Sequence, residues 1–572
     1  MAAFFEEGEA ADFIVFYNLK DNISMNKMVH IMRERLKNID KSALIAAIYA
    51  GIVWFSYLYL NFAPEKPVYI MAIGMTVISY CIIRRIMNWI RKHAGIRKRN
   101  GRICRKEKII VYLVTAGIAF AILLVWFLAY YPGSFSTDSI TQYGQAVKGN
   151  YSDWHPVWHT LIFFTFPLKV FGRTEAIILL QIFYFSLIMG YFSLTIYEMT
   201  NLKITILASM YILANPYTGH IMMYPWKDVG FAMAAFLCTI FSIRLIINKE
   251  STAKTWKLVL FGLALASATI FRHNAILYTA SLLFILFFQT DRKNWIKILV
   301  FTTIILLVIK VPVYHALDVE KPDKRVRESM GLPLTVIGNV AKETPERMDA
   351  ELWDFAFSMA SYEQWSEYYV CGNFNNIKWN GIDFSGVEEE SYSGMLRLMG
   401  KCFKLSPVVS TKAFIALTDM VYGFENGLEG NVGYGIITND YGITNKEMLG
   451  GVCRTITDDY SEFINNTIFK YLRTYGVCLL VILVVVLSRV DFKSIGTWRR
   501  ALMVVPIFAY DFGTMLLLTG PDSRFFFITF LVTPLLVVWN AVDDYLAMCE
   551  NKKIQPEKAF KGSLLKWFCK KR

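Results

Sequence analysis

Tyr131-Pro-Gly-Ser-Phe-Ser-Thr-Asp-Ser139 follows directly on the apolar run 109–130, and Trp154-His-Pro-Val-Trp158 comes shortly after it. A bilayer core is crossed by about 20 helical residues, so the preceding run is long enough to span. It stops at Pro132-Gly133, where a helix does not readily continue. Just beyond, the carboxylate of Asp138 stands among small polar residues at the edge of hydrocarbon.

Runs like 109–130 recur along the chain. Of its 572 residues 55% are hydrophobic, 15% aromatic and only 19% charged, and the charges bunch between the apolar runs. Mean hydropathy is +0.38, which excludes a soluble protein. In lipid every backbone N–H and C=O needs an internal partner, so only helices and closed barrels span. Barrel strands alternate apolar and polar residues, and these runs do not. The expected fold class is therefore an all-α polytopic membrane protein. Twelve candidate spans cover 43–62, 68–83, 109–130, 174–197, 204–215, 229–247, 256–271, 275–288, 295–314, 468–490, 500–518 and 525–545.

Positive charge sets the orientation. The segment 84–108 carries Arg84, Arg85, Arg91, Lys92, Arg97, Lys98, Arg99 and more, which places it in the cytoplasm. The run 109–130 then leads outward, and Asp138 is extracytoplasmic. If Val157–Phe171 also crossed, the basic segments 244–257, 292–297, 493–500 and 552–572 would fall outside. Read as an interfacial helix or shallow re-entrant, it leaves all four inside. Both termini are then cytoplasmic, at the bacterial plasma membrane. The chain divides into a cytoplasmic extension (1–42), two accessory spans with a basic loop (43–108), a core (109–315), an extracytoplasmic insert (316–466), C-terminal spans (467–546) and a basic tail (547–572). The extension, with its Glu6-Glu7-Gly8-Glu9 patch, lacks the pattern of a cleaved signal. Acids outnumber bases in the insert, where 407–425 reads as one helix. The net charge of +14 lies beside apolar runs, a membrane pattern rather than a nucleic-acid one. The nine cysteines have no metal-site spacing, and Cys371, Cys402 and Cys453 in the insert admit at most one disulfide.

Under this topology five polar motifs share the outer face: Asp138, Trp154-His155-Pro156, Tyr224-Pro-Trp-Lys-Asp228, Arg272-His273-Asn274 and Pro521-Asp-Ser-Arg524. Singly, each reads as a helix cap, a snorkelling base or a belt aromatic. Jointly, Lys227, Arg272 and Arg524 run against the positive-inside bias, next to two acids. Three cations at helix tips suit an anionic headgroup such as a phosphate, Arg binding bidentately and Lys as a point charge.

An acid after the first core span, Trp-His-Pro opening an interfacial run, and an acid after the next outward span resemble the GT-C glycosyltransferase superfamily. The likeness is to family 39-like protein mannosyltransferases and lipid A aminoarabinose transferases, and it covers about 109–314. It implies sugar transfer from a polyprenyl-phosphate carrier to an envelope glycan, lipid or protein acceptor, on a GT-C-like core with juxtamembrane helices. Asp138, His155 and Asp228 match the catalytic motif positions, Asp138 as base, the other two orienting Lys227 and the loop. Lys227, Arg272 and Arg524 would bind the donor phosphate, and Trp154, Trp226, His273 and Asn274 the sugar and acceptor. The chain departs from the family in having one acid, not two, in the first loop, and in placing Lys227 beside Asp228. No cofactor is required by this reading, though Asp138 and Asp228 offer a weak ligand pair for a divalent cation. Two rival classes stand beside it. One is a twelve-helix transporter or lipid or polysaccharide flippase, to which the mid-span Asp511 would belong, although no internal repeat is present. The other is an inactive envelope scaffold.

Overall fold

The computed structural model describes residues 39–93, 103–248, 254–321, 329–424, 435–492 and 495–542. The acidic patch at 6–9, most of the 1–42 extension, the middle of the basic 84–108 segment and the 547–572 tail lie outside the described residues.

Among the described residues the chain is helical, with isolated bridges and no strand. Helix starts are set locally by side-chain caps. Asp40 accepts from Ser42 and Ala43 N–H at the head of Lys41–Asn61, Asn201 caps Leu202–Leu213, and Asp291 caps Arg292–Val308. Among the described residues seven helices are long and apolar enough to cross a membrane: Lys41–Asn61, Lys66–Lys92, Arg105–Ala129, Glu175–Met199, Lys227–Ile247, Arg292–Ala316 and Ser523–Ala541. Five shorter apolar helices join them: Val157–Phe171, Leu202–Leu213, Thr255–Phe271, His273–Gln289 and Tyr475–Arg489. Ile70, Ile73, Leu113, Leu207 and Leu307 stand exposed on outward faces, as lipid-facing side chains do. The protein is thus an all-α membrane protein.

Arg105–Ala129 packs along Glu175–Met199, and Lys227–Asn248 along Thr255–Phe271, which in turn covers Arg292–Val308. Tyr475–Arg489 lies between Lys41–Asn61 and Phe527–Ala541. At one end of the bundle Glu198 receives both Lys108 (2.6 Å) and Arg244 (2.7 Å), joining the start of one helix to the last turns of two others. All three helices therefore turn their opposite tips, beside Tyr130, Thr174 and Lys227, to the other end. The Asp138 turn lies at that other end.

Val157–Phe171 starts and finishes there. It opens next to His155, and Thr174 just beyond it bonds Tyr143 of the Thr137–Lys148 helix (3.1 Å). The helix bends through a π-turn at Leu161–Thr165 and is held by Trp158 Nε1 donating to Ser267 Oγ (3.1 Å). It leaves and returns at one end of the bundle.

The structure divides the stretch 316–466. Residues 331–405 enclose their own core around Leu334, Ile337, Leu352, Trp365 and Leu398. The Pro407–Tyr422 helix, shorter than expected at its end, buries Ala413 in that core but Leu417, Val421 and Tyr422 in the main one. Its Tyr422 bonds Ser56 of the first described span (3.3 Å). The segment from Ile436 onward covers the Asp138 turn. Cys371, Cys402 and Cys453 are separate thiols.

The expected span 468–490 begins later. A 3-10 turn occupies Ile468–Arg473, and the α-helix starts at Tyr475, because Arg473 is turned back onto Asn465 and buried. The expected span 500–518 is likewise broken, into Ile495–Ala501, Leu502–Val504 and Val505–Met515, where Pro506 brings no N–H to a continuing helix.

Single cysteines at the exposed Phe171 and Val147 are expected to react with a membrane-impermeant maleimide from one side, and a cysteine at Leu202 from the other. Phe171 reacting together with Leu202 would mean that Val157–Phe171 crosses.

Candidate functional site

The turn after Tyr130 is fastened on both sides. Gly133 adopts a left-handed φ of +125°, and a Cβ there would lie 2.5 Å from Ile178 Cγ1, so only glycine fits. Ser134 N–H donates to Met223 O (2.9 Å), and Phe135 exchanges backbone bonds with Gly435 and Ile437 (both 3.1 Å). Ser136 then opens the Thr137–Lys148 helix, and its hydroxyl accepts from Trp226 Nε1 (2.7 Å). Asp138 falls in the first helical turn, where the helix dipole favours a carboxylate.

The second motif is presented by the Tyr224–Trp226 turn. Gln181, reaching from Glu175–Met199, donates to Met222 O (2.8 Å) and Tyr224 O (2.9 Å) and fixes that turn. Tyr224 and Trp226 stack at 4.1 Å. Lys227 and Asp228 open the next helix. At Gly230 a Cβ would sit 2.7 Å from His159 Cδ2, so glycine lets this helix approach the histidine.

Asp228 is 1% exposed and lies between two arginines. Arg272 Nη1 meets its Oδ1 at 2.5 Å, and Arg524 Nε lies 3.5 Å from Oδ2. Arg272 also donates to Asn274 Oδ1 (2.7 Å), which donates on to Thr514 Oγ1 (2.7 Å), and its guanidinium lies 3.8 Å over Phe525. Arg524 reaches Asp522 at 2.8 Å and Asp138 at 3.2 Å, with its guanidinium 4.9 Å from the Trp226 ring. Three carboxylates and three cations from four segments thus share one end of the bundle. Lys227 is half-buried, with the charges of Asp138, Asp228, Arg524 and Arg272 around it, yet it makes no ion pair or hydrogen bond among the described residues.

His155 is presented by a loop tied to the end of Arg292–Ala316. Lys310 and Tyr314 bind Asp153 (3.1 and 2.8 Å), and the backbone of Glu320 bonds Tyr151 and Asp153 (2.9 Å each). His155 is buried, and its Nδ1 has no hydrogen-bond partner among the described residues. Burial, and then the charge of Lys227, bring its pKa down to about 4, against the opposing pull of Asp138. For Asp138, burial alone would raise the carboxyl; Arg524, Lys227 and His155 outweigh it and hold the pKa at about 2.

Of the residues singled out from the sequence, Asp138, His155, Trp226, Lys227, Asp228, Arg272, Asn274 and Arg524 are therefore brought together. Trp154 is half-buried one position before His155, and His273 is exposed on the turn after Arg272. Three neighbours were given no role from the sequence. Asp522 lies two residues from Arg524 and caps its turn. Gln142 lies one helical turn beyond Asp138 and His159 four residues beyond His155, and they bond each other at 3.0 Å, the amide also donating to Thr160 (2.9 Å). The four-residue spacing was the available signal. For a divalent cation, Asp138 and Asp228 are each engaged by arginine, and no group of three or more His, Cys, Asp or Glu among the described residues is placed to hold a metal.

Compared with protein-family models, curated proteins and solved structures, the chain matches none.

Asp228→Asn keeps the side-chain shape but leaves Arg272 without its carboxylate and takes one of three from Arg524, and should cost about 3–5 kcal/mol. A large fall in the thermal unfolding midpoint in detergent checks this. Stability should also fall on acidification in two windows. His155 takes a proton at its ordinary 6.5 when unfolded but only near 4 when folded, so stability is lost between those values as pH drops. Asp138 contributes fully above 3.8, and its contribution is lost as pH falls toward about 2. His155→Gln is expected to flatten the first window and, because His155 helps hold the Asp138 carboxyl down, to move the second toward 3.8, as followed by unfolding midpoint against pH.

Proposed function

We propose that the chain is an integral-membrane glycosyltransferase, taking a sugar from a polyprenyl-phosphate donor to a cell-envelope acceptor on the extracytoplasmic face. In this reading it has twelve spans, both termini in the cytoplasm of a bacterial cell, and a GT-C-like core over 109–315. The observation that carries it is Lys227, a cation with no ion pair among the described residues, set beside the Arg524–Asp138 pair at a helix tip. A lipid-borne phosphate is a fitting partner for that arrangement.

The reaction is a single displacement with inversion. The acceptor hydroxyl oxygen attacks the anomeric carbon as the bond from that carbon to the phosphate oxygen breaks. The electron pair leaves with the phosphate, and the hydroxyl proton passes to Asp138. Lys227 and Arg524 take the phosphate oxygens, and Arg272, fixed by Asp228 and Asn274, adds its charge. Donors of this kind are worth about 3 kcal/mol each in a desolvated site.

A carboxylate with a pKa of about 2 is a weak base. Phosphate bound to Lys227 and Arg524 cancels the charges that hold the pKa down, so the base gains strength as the donor arrives. Trp226 and Trp154 line the sugar side, with His273 and Asn274 toward the acceptor.

Asp511 favours the second reading, a carrier or flippase. It is fully buried in the Val505–Met515 helix, and both its oxygens accept from Thr529 (2.8 and 2.6 Å). An acid in such a place is a coupling-ion site in transporters.

Asp138→Asn should lower transfer from a polyprenyl-phosphate sugar on the order of 100-fold or more. Lys227→Ala should weaken donor binding and rate together. Turnover near the unmodified rate in Asp138→Asn would remove the base, and absence of any turnover by the purified protein, with substrate crossing liposomes instead, would favour the carrier.

A further inference from the structure

The Val452–Asn465 helix was read from sequence as part of a domain outside the membrane. Its three sides have different chemistry. Cys453 and Thr457 are buried against the bundle, Tyr460 donates to Ala214 O, and Ser461 bonds His220 Nε2 (3.2 Å). At 3.6 residues per turn, Val452, Ile456 and Phe463 form one stripe, each more than half exposed at 57%, 55% and 59%. Arg454, Asp458 and Glu462 form a stripe on the other flank and are also exposed, and Asp459, exposed as they are, stands on the margin between the two stripes.

The polar flank has a known direction. Asp458 accepts from the Tyr130 hydroxyl (2.9 Å), and the Arg454 guanidinium lies 4.7 Å over the Tyr130 ring. Tyr130 is the cap residue at the site end of Arg105–Ala129, so this flank lies at that end of the span. The apolar stripe, on the opposite flank, faces back along the span, which itself exposes Ile118 and Val125. Beyond the helix, exposed Ile468, Phe469 and Leu472 continue the apolar surface to the start of Tyr475–Arg489, an apolar helix of the bundle.

We infer that 449–472 is an interfacial anchor: its apolar stripe lies among the upper acyl chains of the leaflet on the site side, and Arg454, Asp458 and Glu462 stay in water. A helix with one apolar and one charged flank, set level with the end of a span, is the form that lies in a bilayer interface. The occupant is lipid because the stripe is continuous with surfaces that hydrocarbon already covers. The inference stands apart from sugar transfer. It has a consequence for the site, since the segment leading into this helix is the one that bonds Phe135 and Gly133 around the Asp138 turn (Asn445 to Gly133 O, 3.5 Å).

The test uses the full chain in nanodiscs of phosphatidylethanolamine and phosphatidylglycerol, with Cys81, Cys104, Cys371, Cys549 and Cys569 replaced by serine. Spin labels are placed singly at Val452, Ile456 and Phe463, and at Thr455 and Glu462. All five positions are exposed, so the labels do not disturb packing. Collision with oxygen, which concentrates in hydrocarbon, is compared with collision with a water-soluble nickel chelate. The expected result is an oxygen-to-nickel ratio several-fold higher at the first three positions than at the other two. Equal ratios on both flanks would place the helix in water and overturn the inference. Low accessibility to both probes at Val452, Ile456 and Phe463 would also overturn it, since another protein or a second copy would then cover the stripe.

Discussion

The carboxylate of Asp228, 1% exposed, is met by two guanidiniums. Moving an ion of this kind from water to a protein interior costs several kcal/mol, recovered only where opposite charges and hydrogen bonds are well placed. Here the partners arrive from separate elements, Arg272 at the end of Thr255–Phe271 and Arg524 at the start of Phe527–Ala541. Asp138 joins through Arg524 from a third element. One buried carboxylate therefore dictates how the tips of the helices converge, and the remaining polar geometry follows from that convergence.

The same ionic cluster governs the chemistry available at the site. The cations that make the place attractive to an anion also suppress the basicity of Asp138 and keep His155 neutral. Proton acceptance and anion binding are thus linked through shared charges rather than assigned to independent residues. Trp226 has a part in both. Its indole N–H holds Ser136 at the head of the Asp138 helix while its ring lies against Arg524.

Much of this was legible in the sequence, and the reasons are local. Hydrophobic run length marked Arg105–Ala129, Glu175–Met199 and Lys227–Ile247, since a span needs little besides length and apolarity. Lys227, Arg272 and Arg524 stood out because they run against the positive-inside bias, and Asp138 because it follows directly on a span. What escaped depended on three-dimensional placement. Asp522 stood in the Pro521-Asp-Ser-Arg524 motif without a role, and Gln142 and His159 belonged to no motif until the structure set them against each other. The break before Tyr475 turns on Arg473 folding back onto Asn465, which hydropathy cannot register. The stretch 316–466 reads as one polar insert by composition, but Pro407–Tyr422 has an apolar surface divided between two partners.

That last helix has a mechanical consequence. A single stiff rod is embedded at one end in the 331–405 unit, through Ala413, and at the other in the bundle, where Tyr422 touches Ser56. Such a rod behaves as a lever with no hinge between its two seats. The 331–405 unit is for that reason not a pendant module, and any load it takes on its surface is delivered as torque to the first span.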